Sequence, residues 1–209
     1  MPSNRSGMAR RLEDRFPGRL GLLFSPEGKR SPKNLPYALD NGRFSVWSKG
    51  KPWNKYLYLE FLEWTKNVPY KPVWAIVPDV VANAEKTFRW WNVWSHIVKF
   101  DYGMTTALAV QDGMTPDHVW KLQVQPDVIF IGGTTEWKWA TLRMWTKHFP
   151  RVHVGRVNTE QLLWKAHKAG AESTDGSGWY HRKQFDQLVR YLTQTSLGFN
   201  RHGRDDFLQ

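Results

Sequence analysis

The sequence contains no cysteine. That absence excludes disulfides, thiolate metal centres and a cysteine nucleophile, and zinc ribbons and fingers with them. No run approaches the roughly 20 apolar residues that a membrane-spanning helix requires. The opening segment, Met1–Arg19, is polar and basic and has no apolar stretch of the kind a secretory leader carries. Acidic residues are scarce: 19 Asp and Glu stand against 30 Lys and Arg. Histidines His96, His118, His148, His153, His167, His181 and His202 are scattered, with no pair at close helical spacing, so no metal site is expected. No glycine fingerprint of the dinucleotide-binding type is present either. These absences point to a soluble cytoplasmic protein without a membrane partner.

What is present is a chain of 209 residues, enough for one domain with its own core. The formal net charge is +11, a field that attracts polyanions, of which nucleic acid is the usual one. Thirteen tryptophans stand out; most recur at helical spacing and read as packing, although aromatic rings also stack on bases. Short apolar runs alternate with longer amphipathic ones. The runs are Leu20–Phe24, Tyr37–Leu39, Val73–Val77, Thr106–Val110, Val128–Ile131, Val152–Val154 and a weaker Ala171–Thr174. Continuous apolar runs of this length suit strands covered on both faces. Helical patterns fall at Trp53–Asn67, Asn83–Phe100, Pro116–Gln123, Glu136–His148, Thr159–Ala169 and Tyr180–Gln194. Alternation of this kind implies βαβ units and parallel strands. The expected fold is a compact α/β chain, a (β/α)8-type TIM barrel with one unit abbreviated or missing, because the chain is short for eight units. A flavodoxin-like open sheet is the other arrangement the pattern allows. Residues 20–195 would form the barrel, residues 1–19 a polar basic segment before it and residues 196–209 a basic tail.

In a parallel barrel, functional groups gather where strands end and βα-loops begin. Those positions here hold Asp40, Asp79, Gln111, Gly132, Gly133, Arg156 and Asp175. Each also has a plain structural reading. Asp40-Asn41-Gly42 and Asp175-Gly176 are common turn sequences, and Gly132-Gly133 lets a chain reverse. Together they offer carboxylates, an amide and backbone N–H groups, a set suited to a polar planar ligand. A carboxylate accepts from a guanine-type N1–H and amine, while an amide and a backbone N–H donate to O6. A further carboxylate beside a sugar can attack its anomeric carbon, and a partner carboxylate can carry a proton to the leaving base.

Six segments carry a resemblance. They are Tyr37–Trp47 (YALDNGRFSVW), Val77–Asp79 (VPD), Val110–Gly113 (VQDG), Phe130–Thr135 (FIGGTT), His153–Val157 (HVGRV) and Ala171–Gly176 (AESTDG). In order and spacing, from about Leu20 to Leu192, they resemble the site segments of the tRNA-guanine transglycosylases, and in particular short, often phage-encoded members that place 7-deazaguanines in DNA. The resemblance implies that Asp175 is the nucleophile and Asp40 the general acid/base. It implies that Asp79, Gln111 and Gly133 read the purine edge and that Gly132 and Gly155 allow close approach of the backbone. It also implies a 7-deazaguanine (preQ0-like) base as co-substrate, and no metal or other cofactor. Arg156 and the loop residues Lys29, Arg30 and Lys33 are phosphate-contact candidates on charge alone. The tRNA enzymes carry a zinc-binding insert built on cysteines, which is missing here, so DNA is favoured over tRNA. Asp112 reads as a capping residue or a second polar ligand, with capping favoured. Trp47 and Trp179 could cover the pocket or fill the gap left by an extruded base, with packing the favoured role for both. Three alternatives stay open: a tRNA-guanine transglycosylase, an N-glycosidase hydrolysing a purine nucleoside, and a non-catalytic basic nucleic-acid-binding barrel. The oligomeric state is not determined by the sequence.

Overall fold

The structure is a computed structural model that describes residues 5–28, 31–32 and 34–196. Lys29, Arg30, Lys33 and residues 197–209, nearly all of the basic tail, lie outside the described residues. In chain order the elements are α1 (Arg5–Arg15), β1 (Leu22–Phe24), β2 (Tyr37–Leu39), α2 (Arg43–Trp47), α3 (Lys55–Trp64), β3 (Ala75–Ile76), α4 (Ala84–His96), β4 (Thr106–Val110), α5 (Pro116–Trp120), β5 (Val128–Ile131), α6 (Thr135–His148), β6 (Val152–Val154), α7 (Glu160–Lys168), β7 (Ser173–Thr174) and α8 (Arg182–Ser196). Among the described residues no helix is long and apolar enough to cross a membrane.

The seven strands form one parallel sheet in the order of the chain. Register runs from Leu22 opposite Tyr37 at one edge to Val154 opposite Thr174 at the other. Each strand is short, and every expected apolar run contains one. The connecting helices start where a side chain caps them. Asn54 accepts from the N–H groups of Tyr56 and Leu57, and Asn83 from Lys86. Thr134 accepts from Trp137 and Thr159 from Leu162.

The sheet is curled. The Trp74 ring, just before β3, lies 4.8 Å from the His153 ring of β6. Three strand spacings in a flat sheet would separate them by about 14 Å. Two apolar clusters follow from the period of 2 along each strand. One faces the helices and includes Leu39, Val77, Leu108, Val110, Ile129, Ile131 and Val154. The other fills the concave side with Ala38, Trp74, Ile76, Ala107, Ala109 and Val128, and Phe130 packs against it. Small alanines there leave room for the large rings of Trp74 and Phe130.

The sheet does not close: among the described residues β7 and β1 have no pairing with one another. Helical side chains cover this seam. Ala9 and Leu12 of α1, with Phe16 just after it, are buried, as are Leu188 and Leu192 of α8. Arg19 donates to the Thr195 hydroxyl at 2.9 Å and ties the two ends together. A cavity of about 500 Å³ remains along the seam, bounded in part by Leu12, Leu23, Trp74, Leu188 and the His153–Asp175 pair.

Candidate functional site

The strand period that builds the concave core also delivers the polar groups. Asp40 follows Ala38 by two residues, Gln111 follows Ala107 and Ala109, and Asp175 follows Ser173. All three therefore continue the concave face beyond the carboxyl ends of their strands.

Asp79 and Gln111 are brought into direct contact. Both are buried, and the Gln111 amide donates to Asp79 Oδ2. The Asn41 amide donates to Asp79 Oδ1 at 2.9 Å and to the Val77 carbonyl at 3.1 Å. Gln111 Oε1 in turn accepts from the Ala82 N–H at 2.6 Å. Desolvation raises the Asp79 pKa, against the opposing pull of Asn41, Arg43 and Gln111. Asn41 fixes more than Asp79: its own side chain accepts from the Arg43 N–H at 2.9 Å, and its carbonyl accepts from the Trp53 indole at 2.9 Å.

Asp40 is partly buried and accepts from the Gly42 N–H at 3.0 Å. Gly42 has φ 74, and a Cβ there would stand 3.1 Å from the Pro26 ring, so the turn needs glycine. Desolvation is the main force on the Asp40 carboxyl. The charges of Asp175 and Asp79 add to it, and the Gly42 N–H opposes it, so its pKa is pushed up from 3.8 to about 6.

Asp175 has different company. Its Oδ1 lies 3.0 Å from His153 Nε2, and His153 Nδ1 lies 2.8 Å from the Ser173 hydroxyl. With the carboxylate ionised, Nε2 donates to Asp175 and Nδ1 accepts from Ser173. The Arg156 N–H approaches Oδ2 at 3.5 Å. His153 is buried, stacked on Phe130 at 5.0 Å. Gly155 is required beside it: a Cβ would fall 2.8 Å from the Phe130 ring and 3.4 Å from Asp175 Oδ1.

Gly133 belongs to a third group. Its carbonyl accepts from the Arg156 guanidinium. Next to it, the Thr134 N–H and hydroxyl donate to Asp112 at 2.8 and 2.6 Å. Asp112 therefore braces Thr134, the residue that caps α6, and is itself the cap of neither α5, which Thr115 caps, nor α6. Desolvation works to raise its pKa, but the Thr134 hydrogen bonds and Arg156 outweigh it and hold the carboxyl low. Gly132 continues the strand pairing, donating to the Val110 carbonyl at 3.0 Å. Trp179 is partly buried against the helix-side core, whereas Trp47 is 54% exposed at the mouth.

Two residues of the site have no role assigned to them by the sequence motifs. His153 looks isolated in the sequence, yet it sits one concave step before Gly155 and pairs with Asp175. Its signal is strand phase. Lys138 is 2% exposed, and its ammonium donates to the Gly155 carbonyl at 2.5 Å. It shares a buried stripe of α6 with Leu142 and Trp145, and a lysine on such a stripe is the signal that could have found it. Desolvation lowers its pKa to about 8; Arg156 reinforces this and Asp175 opposes it.

No family model matches the chain, and no curated protein matches it. The chemistry of the site therefore rests on its own geometry. That geometry offers two carboxyls with opposite surroundings, one desolvated and easily protonated and the other held by an imidazole. Beside them stands a buried amide–carboxylate pair, Gln111 and Asp79, hydrogen-bonded to one another and to Asn41 and Ala82.

Proposed function

We propose that the chain is a base-exchange glycosyltransferase that replaces guanine in nucleic acid, DNA rather than tRNA, with a 7-deazaguanine. The observation that carries this reading is the contrast between Asp40, with its pKa pushed up to about 6, and Asp175, held by His153 and the Arg156 N–H. A double displacement needs one acid and one nucleophile at the same centre. The resemblance of the six sequence segments supports the same roles. We read the curled sheet as a TIM-type barrel that lacks its eighth unit, with α1 and α8 over the vacant position.

In the first step the Asp175 carboxylate bonds to C1′ while the C1′–N9 bond breaks, and Asp40 gives its proton to the departing guanine. In the second step the incoming base gives its N9 proton to Asp40, and its nitrogen displaces Asp175 from C1′. Asp79 and Gln111 recognise the purine edge, with Gly133, whose carbonyl accepts from Arg156, the third group that the resemblance assigns to it. In duplex DNA the target nucleotide has to leave the stack first. Lys138 and Arg156 place positive charge near Asp175. The absence of a cysteine-based zinc insert is what favours DNA over tRNA.

Mass spectrometry of nucleosides tests the reading. The purified protein is incubated separately with DNA and with tRNA in the presence of a deazapurine base. Deazaguanosine in the DNA digest is the expected result. Abasic sites without base incorporation would show hydrolysis instead, and modification of tRNA alone would reverse the substrate preference.

A further inference from the structure

The short helix α2 begins three residues after Asp40 and exposes two large aromatic rings. Phe44 is 45% and Trp47 54% exposed, and their centroids are 5.8 Å apart. The helix cannot drift from the carboxylate site. Asn41 anchors it through Asp79, Val77 and the Trp53 indole, and the Gly42 N–H is bound to Asp40. The segment from Asn41 to Tyr58 contains Arg43, Lys49, Lys51 and Lys55 and no acidic residue.

Arg156 reaches this shelf from β6. Its guanidinium lies 4.9 Å from the Phe44 centroid while it also holds the Gly133 carbonyl. Its backbone is left-handed, with φ 62, a conformation that costs a non-glycine residue about 1–2 kcal/mol. Strain of that kind persists where the surroundings impose it, and it gathers at functional sites. Here it accompanies an N–H directed at Asp175 and a side chain reaching across the mouth. The Phe44 face thus already carries one planar cationic group.

We propose that Phe44 and Trp47 form a stacking surface for the bases of an unpaired nucleic-acid strand, with its phosphates on Arg156, Lys49 and Lys51. Every base has a π-face, so such a shelf accepts a strand without reading its sequence. The Arg43 guanidinium is turned onto Trp53 and Trp90, but the exposed Lys49, Lys51 and Lys55, with no acid among them, make a polyanion the matching occupant. The proposal shares its partner class with the base-exchange reading, but stacking requires none of that chemistry.

The test uses Asp175→Asn as background, so that no turnover intervenes. Fluorescence anisotropy measures the affinity for a labelled single-stranded oligothymidylate of about 12 nucleotides over a range of salt. The paired substitution Phe44→Ala/Trp47→Ala should weaken binding by roughly 5- to 100-fold at each salt concentration and leave the salt dependence unchanged. Trp47→Phe should keep most of the affinity. Lys49→Ala/Lys51→Ala should instead reduce the slope of log K against log salt by about 1.4. Unchanged affinity in the Phe44/Trp47 double variant would overturn the proposal. So would sedimentation data showing that this variant loses self-association while its oligonucleotide affinity stays intact. Binding lost on the shelf with no base exchange in the wild type would retire the exchange reading and leave the shelf in place.

Discussion

At the scale of single residues, the three carboxyls differ because their neighbours differ. Asp79 is bound by two amides, Asp175 by an imidazole, and Asp40 by one backbone N–H in a desolvated position facing two other acids. The Asp40 value in the folded protein, about 6, lies above its ordinary 3.8. Its contribution to stability is therefore complete below about pH 4 and is lost as pH rises through about 6. Asp40→Asn removes that penalty. It should stabilise the protein at pH 7 by on the order of 1–3 kcal/mol and give no gain at pH 4, with urea denaturation at the two pH values as the check. Base exchange should disappear in the same variant, a trade common at acid/base sites.

His153 makes a second prediction at this scale. It contacts Asp175 and Ser173 and packs between Phe130 and Trp74. His153→Ala should cost roughly 2–3 kcal/mol of stability, seen in thermal or urea unfolding, and should lower turnover. His153→Gln restores a donor to Asp175 but no ring. It should recover more of the turnover than of the stability.

At the scale of elements, the strands were legible and some of the helices were not. Six of the seven strands fall within continuous apolar runs, because both faces of the sheet are covered there; β7, Ser173–Thr174 at the sheet edge, is polar and only partly buried. The helix start at Thr159 was legible from its cap, whereas the caps at Asn54 and Thr134 were not picked out and those starts fell one or two residues off. By contrast, α1 has its buried Ala9 and Leu12 spread among arginines, and the segment reads as polar. Its apolar stripe becomes evident only once the open seam needs covering. Helix α2 is too short and too exposed to show a period. The ring of Phe16, just beyond α1, is buried in the main core with Ala9 and Leu12. Phe16→Ala should therefore destabilise the protein by about 3–5 kcal/mol in urea unfolding, a core-sized effect from a segment that looks like an appendage. A loss below about 1 kcal/mol would show that the seam does not depend on α1.

At the scale of the whole molecule, seven parallel strands in chain order curl until groups on β2, β3, β4 and β7 share one mouth. The positions of Asp40, Asp79, Gln111 and Asp175 were readable from the rule that strand ends carry function. Their division into an amide–carboxylate pair and a His-held acid was not, because it depends on which side chains Asn41 and His153 contact, and their motif segments do not show those partners. Gly133 was grouped with Asp79 and Gln111 by motif, whereas its neighbours are Asp112 and Arg156. The curl brings Arg156 across to Phe44, a contact between residues more than a hundred positions apart that no local pattern encodes.

Base exchange as proposed requires Asp175 to be the group that bonds to the sugar. The direct measurement is release of labelled guanine from DNA by the wild type and by Asp175→Asn, with a deazapurine base supplied. The account requires release by the wild type and a loss on the order of a thousandfold or more in the variant. Release at a near wild-type rate by Asp175→Asn would contradict it.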